Sequence, residues 1–172
     1  MELSDDVVRL RPLALSDAPA VAAACAEPEI ARFIPGIPVP YGWEHAEAYL
    51  QEAELAWEAG TRCAFAIVEV RGVELRGTID VGPTEIGSIG YWIARENRGQ
   101  GLATRALVLL SRWAVTTGGV QRLELTTHLE NVASQRVAEK AGFVREGVLR
   151  SHIRFREGRR DSVLFSLLPS DL

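Results

Sequence analysis

The segment GYWIARENRGQGLATRALVLL, residues 90–110, decides the fold of this chain, because it joins a strand to a long helix through a loop rich in Arg and Gly. The pattern predicts that the strand ends at Ala94 and that the helix begins near Leu102, without an acidic or hydroxyl residue dominating its start. The first N–H groups of a helix lack carbonyl partners within it and attract anions. The segment therefore predicts a site for phosphate oxygens.

Four residues of this loop suit a diphosphate. Gly99 and Gly101 let the main chain approach the ligand closely, and Arg98 and Thr104 can add side-chain donors. A P-loop is excluded, because the chain has no GxxxxGK[ST] pattern. A dinucleotide fingerprint nearly fits GQGLAT but fails at its sixth position, and no βαβ unit opens the chain. The sequence therefore predicts a phosphate-binding loop of another type.

Strands predominate on both sides of this loop, with helices between them. Periodicity predicts helices that start near residues 16, 44, 102 and 131, and strands at residues 7–13, 63–70, 74–81, 88–94, 122–129, 143–155 and 160–167. Short turns at Arg71-Gly72 and around Gly82-Pro83 make the second to fourth strands an antiparallel meander. We therefore expect one domain, residues 1–172, of the α+β (mixed α/β) class.

Composition excludes several classes of protein. Of the 172 residues, 47% are hydrophobic and 24% are charged, as in ordinary globular proteins, and no apolar run approaches the roughly 18 residues of a membrane span. The first residues are acidic, unlike a secretory signal, so we expect a cytoplasmic protein with no membrane partner. Cys25 and Cys63 lack metal or redox spacing, so we expect no metal and two free, buried thiols.

The formal net charge of −4 argues against nucleic acid as a partner. This charge is unevenly distributed, since residues 1–90 hold 15 acids and 6 bases, whereas residues 91–172 hold 8 acids and 13 bases. One half suits a cation and the other an anion, although surface charge in solvent can produce the same split.

The loop and its surroundings resemble the GNAT superfamily of N-acetyltransferases. The superfamily signature, Arg/Gln-x-x-Gly-x-Gly/Ala, is met by residues 98–103, Arg-Gly-Gln-Gly-Leu-Ala. The likeness continues through IGYWIARENRGQGLATRAL, RLELTTHLENVASQRVAEKAGF, VREGVLR and the late Gly158 and Asp161, and it extends over nearly the whole chain from VRLRPL onward. In these stretches the sequence looks like the ribosomal-protein N-terminal acetyltransferases of the RimJ/RimL type.

This resemblance implies a fold, an activity and a cofactor. The implied GNAT fold has a mostly antiparallel central sheet of about seven strands, splayed between the fourth and fifth and flanked by about four helices. The implied activity is transfer of an acetyl group from acetyl-CoA to a primary amine by direct attack in a ternary complex. A non-catalytic acyl-CoA-binding sensor is the alternative, suggested by Ala138 and Ser88, which stand where the family often carries Tyr and Glu.

The resemblance also implies which residues hold the cofactor. The pantetheine arm is expected along the strand at residues 88–94, where a bulge would expose backbone groups of Trp92 and Ile93. Asn131 is expected to contact the cofactor, to cap its helix, or both. Lys140 is expected near the adenosine phosphate or in solvent. The pyrophosphate is expected on the backbone amides of Arg98, Gly99, Gln100, Gly101, Leu102, Ala103 and Thr104.

Direct transfer requires donors for the oxyanion and for the departing thiolate. A backbone N–H between Tyr91 and Ile93 is the expected oxyanion donor. Many superfamily members use a Tyr as the acid, and Ala138 stands at its position. The resemblance to the RimJ/RimL type, whose members often have a serine substitute, implies Ser134 as the acid, although it can also be an ordinary residue of the first helical turn.

A neutral amine is the other requirement, and the expected base acts through water. Ser88 has replaced the usual acid, so Asp80 and Glu85 on neighbouring strand ends are the candidates, with ordinary surface carboxylates as the alternative reading. The chain shows no Ser/Cys-His-Asp grouping that would support a covalent intermediate.

The acceptor is expected in an apolar funnel. Its predicted walls are Ile34, Tyr41, Trp43 and Tyr91, partly within the Pro- and Gly-rich stretch FIPGIPVPYGW, although some of these aromatic residues can instead belong to the core. Together with the acidic first half, this favours a cationic amine as acceptor. The acceptor classes are an N-terminal α-amine of a protein or peptide and a small cationic amine, and the protein is expected to be a monomer or a homodimer.

Overall fold

One sheet organises the part of the chain that the structure describes, residues 1–82 and 84–172 of the computed structural model. Its strands are β1 Leu3–Ser4, β2 Val8–Pro12, β3 Cys63–Glu69, β4 Gly77–Val81, β5 Ile86–Ile93, β6 Arg122–His128, β7 Val144–Phe155 and β8 Gly158–Leu167. The α-helices are α1 Ala18–Cys25, α2 Pro28–Phe33, α3 Trp43–Glu58, α4 Leu102–Thr116 and α5 Val132–Lys140. Pro83, part of a predicted turn, lies outside the described residues.

The prediction of a mixed α+β fold is confirmed, and two short elements add to it. β1 has two residues and α2 has six, so neither is long enough to show a periodic pattern. Pro28 opens α2, where its missing N–H costs nothing because the first helical N–H groups have no intrahelical partner.

The strand order is β1-β2-β3-β4-β5-β6-β8-β7, and all neighbours are antiparallel except β5 and β6. These two parallel strands pair from Ile86 with Arg122 to Ile89 with Leu125, and beyond that point they separate. The predicted splay between the fourth and fifth expected strands, here β5 and β6, is therefore confirmed.

The predicted bulge in β5 is wrong. β4 and β5 keep an uninterrupted antiparallel register from Val81 opposite Ile89 to Gly77 opposite Ile93. The splay arises because the ladder between β5 and β6 stops, and not because β5 carries an extra residue.

Helix α4 covers one face of the sheet, and helices α1 to α3 cover the other. Leu102, Ala106 and Leu110 recur every four residues on α4 and are almost completely buried against the sheet. Full burial of one leucine side chain stabilises the fold by about 1.5–3 kcal/mol. This packing fixes the start of α4, and with it the loop of residues 98–101.

No helix in residues 1–82 and 84–172 combines the length and the apolar character needed to cross a membrane. In the same residues, no three His, Cys, Asp or Glu side chains are grouped in a way that could hold a metal ion. Cys25 and Cys63 are free and buried, as predicted.

The hairpin of β7 and β8 is bent. Its register shifts between Leu149 and Ile153, and within the shift Ser151 adopts a left-handed conformation with φ of 52°. A strand with such an irregularity bends, and its local twist increases. The bend brings Ile153 of β7 to the lining of the larger of the two cavities described below.

Candidate functional site

Two cavities meet at the gap between β5 and β6. The larger cavity, of about 640 Å³, lies towards α3, and the smaller cavity, of about 380 Å³, lies at the start of α4. Six residues line both cavities and mark their junction: Phe33, Ile34, Tyr91, Trp92, Asn131 and Ser134. A ligand in one cavity can therefore touch a ligand in the other.

The loop before α4 presents free N–H groups to the smaller cavity. Gly99 and Gly101 have left-handed φ values of 75° and 80°, and a Cβ on either would meet no atom within 4 Å. The first helical hydrogen bond runs from Arg105 N–H to Gly101 O, and in the described part of the chain no N–H from Gly99 to Thr104 donates to a protein acceptor. The cavity is lined by Arg98, Gly99, Gly101, Leu102, Ala103 and Thr104 among others.

Two side chains of this loop bond to other parts of the protein, although Arg98 also lines the smaller cavity. Arg98 donates from Nε to Ile93 O at 3.0 Å and forms an ion pair with Glu29 of α2. Gln100 does not line the cavity, because its Nε2 donates to Glu96 O at 3.2 Å. The predicted anion site therefore offers mainly backbone N–H groups, and Arg98 ties the end of β5 to α2.

The backbone of β5 is oriented differently from the prediction. Ala94 donates its N–H to Arg76 O at 2.9 Å on the β4 side. Because successive residues of a strand point their backbone groups to opposite neighbours, Tyr91 and Ile93 face the gap, whereas Trp92 faces β4. The N–H groups of Tyr91 and Ile93 and the C=O of Tyr91 are thus open to the gap, whereas Ile93 O accepts from Arg98, and Trp92 lines both cavities.

A pair of hydroxyl groups lies at the junction. Tyr91 Oη and Ser134 Oγ are 2.9 Å apart, and burial raises the pKa of Tyr91 to about 12. Asn131 Oδ1 accepts the N–H of Ser134 at 3.1 Å, so this residue caps α5 while it lines both cavities. Ala138, in contrast, is fully buried in the core.

A carboxylate with an altered pKa lies in the larger cavity. Asp80 of β4 stands beside Gly90 of β5, where a Cβ would lie 3.5 Å from Asp80 Oδ2. Burial raises the pKa of Asp80 to about 6, and Arg62 in the same cavity opposes this rise. Asp80 can therefore exchange a proton near neutral pH.

The other predicted residues divide into those at the cavities and those away from them. Ile34 and Tyr41 line the larger cavity, and Lys140 lines the smaller one. Glu85 lies in the exposed segment before β5, and Trp43 is the half-exposed first residue of α3. Neither of these two residues lines a cavity. Glu85 precedes the first residue of β5, at the opposite end of the strand from the junction, and Trp43 lies at the start of α3, away from the larger cavity.

Sequence reasoning missed several residues that line the two cavities, among them Arg136 and Tyr49. Arg136 stands one helical turn before Lys140 on α5, and both exposed cations line the smaller cavity. Their spacing of four residues is the signal that could have revealed a shared helix face. Tyr49 of α3 donates to Thr78 at 3.4 Å in the larger cavity, and nothing in its helical spacing distinguished it from a core residue.

Comparisons with known proteins agree with this geometry. The family described as "Acetyltransferase (GNAT) domain" matches residues 8–144. "Probable N-acetyltransferase YjcK" of Bacillus subtilis (strain 168) is 29% identical over 112 residues, which is 62% of each chain. The ribosomal-protein-serine acetyltransferase of Escherichia coli (strain K12) is 32% identical over 81 residues, which is 45% of each chain. The matches thus span less than two thirds of these relatives.

A solved structure extends the likeness in fold over the whole chain. Mycobacterium smegmatis RimJ in complex with CoA-disulfide superposes with a TM-score of 0.88 at 24% identity, and the match covers 100% of this chain and 88% of that one. The resemblance to the RimJ/RimL type is confirmed by these neighbours.

Proposed function

This chain belongs to the acetyltransferase (GNAT) domain family, and from that premise we propose that it transfers the acetyl group of acetyl-CoA to a primary amine. The observation that carries the proposal is the junction of the two cavities. An anion site at the start of α4 opens there onto the hydroxyl pair of Tyr91 and Ser134, with Asp80 on the other side. We propose direct attack in a ternary complex, because each substrate has its own cavity.

The smaller cavity fits coenzyme A. The N–H groups of residues 99–104 would hold the diphosphate, and the C=O of Tyr91 and the N–H of Ile93 would pair with the amide groups of the pantetheine arm as a neighbouring strand does. Bound in this way, acetyl-CoA supplies an activated acetyl thioester at the junction. The N–H of Tyr91, which also faces the gap, would stabilise the negative charge that develops on the carbonyl oxygen.

Asp80 is the proposed base. A carboxylate with a pKa of about 6 accepts a proton from the amine through water more readily than one with an ordinary pKa of 3.8. Deprotonating an α-amine at pH 7 costs only about 1–1.4 kcal/mol, whereas a lysine side chain costs about 4–5 kcal/mol. These costs favour the N-terminal α-amine of a polypeptide as acceptor.

The hydroxyl pair is proposed to serve the departing thiolate. Ser134 donates to the thiolate and Tyr91 donates to Ser134, because a phenol with a pKa of about 12 keeps its proton throughout the neutral range. Asn131 positions Ser134 by capping α5.

Loss of the Ser134 hydroxyl is expected to lower kcat by about 10- to 100-fold, the value of a hydrogen bond to a charged group. Tyr91→Phe is expected to act in the same direction with a smaller effect. Steady-state kinetics of Ser134→Ala, Tyr91→Phe and the double variant would check this, and the double variant should be no slower than Ser134→Ala. Fully additive losses would contradict a shared path through the pair.

The cations of α5 are proposed to hold the 3′-phosphate of coenzyme A. Replacing Arg136 and Lys140 by Gln together is expected to weaken binding of coenzyme A about tenfold, because each lost phosphate contact contributes about 1 kcal/mol or less at an exposed site. Binding of 3′-dephospho-coenzyme A, measured by calorimetry, should change little. An equal loss of affinity for both ligands would mean that Arg136 and Lys140 do not bind the 3′-phosphate.

Release of free thiol from acetyl-CoA in the presence of an amine tests the proposed activity. Peptides with free N-termini, polyamines and aminoglycosides form a suitable panel, and the peptides are expected to react. Tight binding of coenzyme A without turnover on any amine would favour the sensor alternative instead. We propose a cytoplasmic location, to which the two free, buried thiols of Cys25 and Cys63 are suited.

A further inference from the structure

The tip of the β7–β8 hairpin, residues 150–160, is strongly basic and is called the basic tip below. It holds five arginines, Arg150, Arg154, Arg156, Arg159 and Arg160, against a single acid, Glu157. This density stands out in a chain whose formal net charge is −4. The basic tip accounts for much of the positive charge in the second half of the chain.

Most of this charge is not neutralised within the protein. In the described residues, only Arg160 of the basic tip pairs with a carboxylate, that of Glu157 at 2.6 Å. Arg159 donates to the carbonyl oxygens of Ser151 and His152, which orients the guanidinium but leaves its charge. Arg154 stands directly opposite Arg159 in the ladder. Like charges placed directly opposite each other destabilise a sheet, so a negative charge from a bound ligand would stabilise this pair of arginines.

The basic tip lies at the rim of the larger cavity. Ile153 lines that cavity, and it is the chain neighbour of Arg154. The guanidinium of Arg160 stacks 4.5 Å from the centre of the Phe155 ring and donates to Arg32 O at the end of α2. The tip is therefore held against the elements that surround the proposed acceptor site.

The edge of β7 favours a polypeptide as the occupant. β7 is the last strand of the sheet order, so the backbone N–H and C=O groups on its outer edge have no neighbouring strand in the described residues. An extended peptide can pair with such an edge, and its side chains then alternate between the two faces of the hairpin. A nucleic acid could contact the arginines and single N–H groups, but it lacks the regularly spaced N–H and C=O groups that pair along a strand edge.

We propose that the basic tip binds an acidic segment of the polypeptide whose N-terminal amine is acetylated. This inference rests on the proposed function and narrows its acceptor class. An extended chain spans about 3.3 Å per residue, and the tip extends four residues beyond Ile153, so acids about three to eight residues after the amine would reach the arginines.

Three matched peptides test this inference. They share the same first residues and differ at the following positions, which carry Asp and Glu, Asn and Gln, or Lys. The acidic peptide is expected to exceed the neutral one about tenfold in kcat/KM, mainly through KM, because a few exposed ion pairs contribute about 1–1.5 kcal/mol together. The preference should weaken as ionic strength rises above about 0.1 M.

Charge reversal provides the decisive variants. Arg154 and Arg156 are exposed and make no side-chain hydrogen bond in the described residues, so Arg154→Glu/Arg156→Glu should fold normally and prefer the lysine peptide. Arg112→Glu is the matched control, since this exposed arginine of α4 lines neither cavity and should leave the preference unchanged.

Each outcome separates the inference from the proposed function. Equal kcat/KM for the acidic and neutral peptides would overturn the inference and leave acetyl transfer intact. If no amine is acetylated, the proposed function fails. Binding of a labelled acidic peptide to the wild type and to Arg154→Glu/Arg156→Glu, measured by fluorescence anisotropy, then still tests the inference. A labelled single-stranded RNA that binds the tip and displaces the acidic peptide would overturn it in favour of a nucleic acid.

Discussion

Replacing Gly101 by Glu is expected to abolish the stabilisation of this protein by coenzyme A. Gly101 is the N-cap of α4, and a side chain there would extend into the smaller cavity, since a Cβ meets no protein atom within 4 Å. The new carboxylate would take the place of the diphosphate at the free N–H groups and repel it. At about 100 times its Kd, a ligand adds about 2.7 kcal/mol to the free energy of unfolding.

A thermal-shift assay of the wild type and of Gly101→Glu, with and without coenzyme A, measures this effect. Gly119→Glu is the matched control, because Gly119 follows α4, has a φ of 71° and likewise faces open space. It imposes the same left-handed strain and the same charge at the opposite end of the helix, and its ligand-induced shift should persist. A normal shift for Gly101→Glu would mean that the diphosphate binds elsewhere.

The loop around Gly101 could be predicted from sequence because its signals are local. Two glycines, the end of a strand and an amphipathic helix follow one another within residues 90–110, and none of these signals depends on distant contacts. The same holds for Asn131, whose capping role follows from its place before a short helix.

The hydroxyl pair could not be predicted as a pair. Tyr91 and Ser134 are 43 residues apart, on β5 and α5, and they meet only because β6 leaves β5 and opens a gap beside both. The orientation of Trp92 depends on strand register in the same way, since a shift by one residue exchanges the two sides of a strand.

The two candidate carboxylates illustrate a further limit. Asp80 and Glu85 both stand near strand ends in the sequence, and composition does not distinguish them. The β4–β5 register places Asp80 opposite Gly90, inside the larger cavity, whereas Glu85 precedes β5 and is exposed. Only the ladder, and the missing side chain at Gly90, reveals which carboxylate lines the larger cavity.

Asp80→Asn is expected to lower kcat/KM by about 10²- to 10⁴-fold, the usual contribution of a general base. Because burial raises the pKa of Asp80 to about 6, the proton acceptor is present above that pH and is lost as the pH falls through it. The wild-type rate should therefore rise through about pH 6 and rise further as the amine itself loses its proton. The variant should keep only the second rise.

Stability separates this catalytic loss from a folding defect. A carboxyl group whose pKa is raised in the folded state destabilises the protein once it ionises, so the wild type loses stability as the pH rises from about 3.8 to about 6. The asparagine side chain of Asp80→Asn cannot ionise. At about pH 7.5, close to the ordinary pKa of an α-amine, the melting temperature of this variant should therefore equal or exceed that of the wild type. Glu85→Gln, which removes an exposed carboxylate outside both cavities, should change neither rate nor stability. A wild-type pH profile retained by Asp80→Asn, or a large loss in Glu85→Gln, would show that Asp80 is not the base.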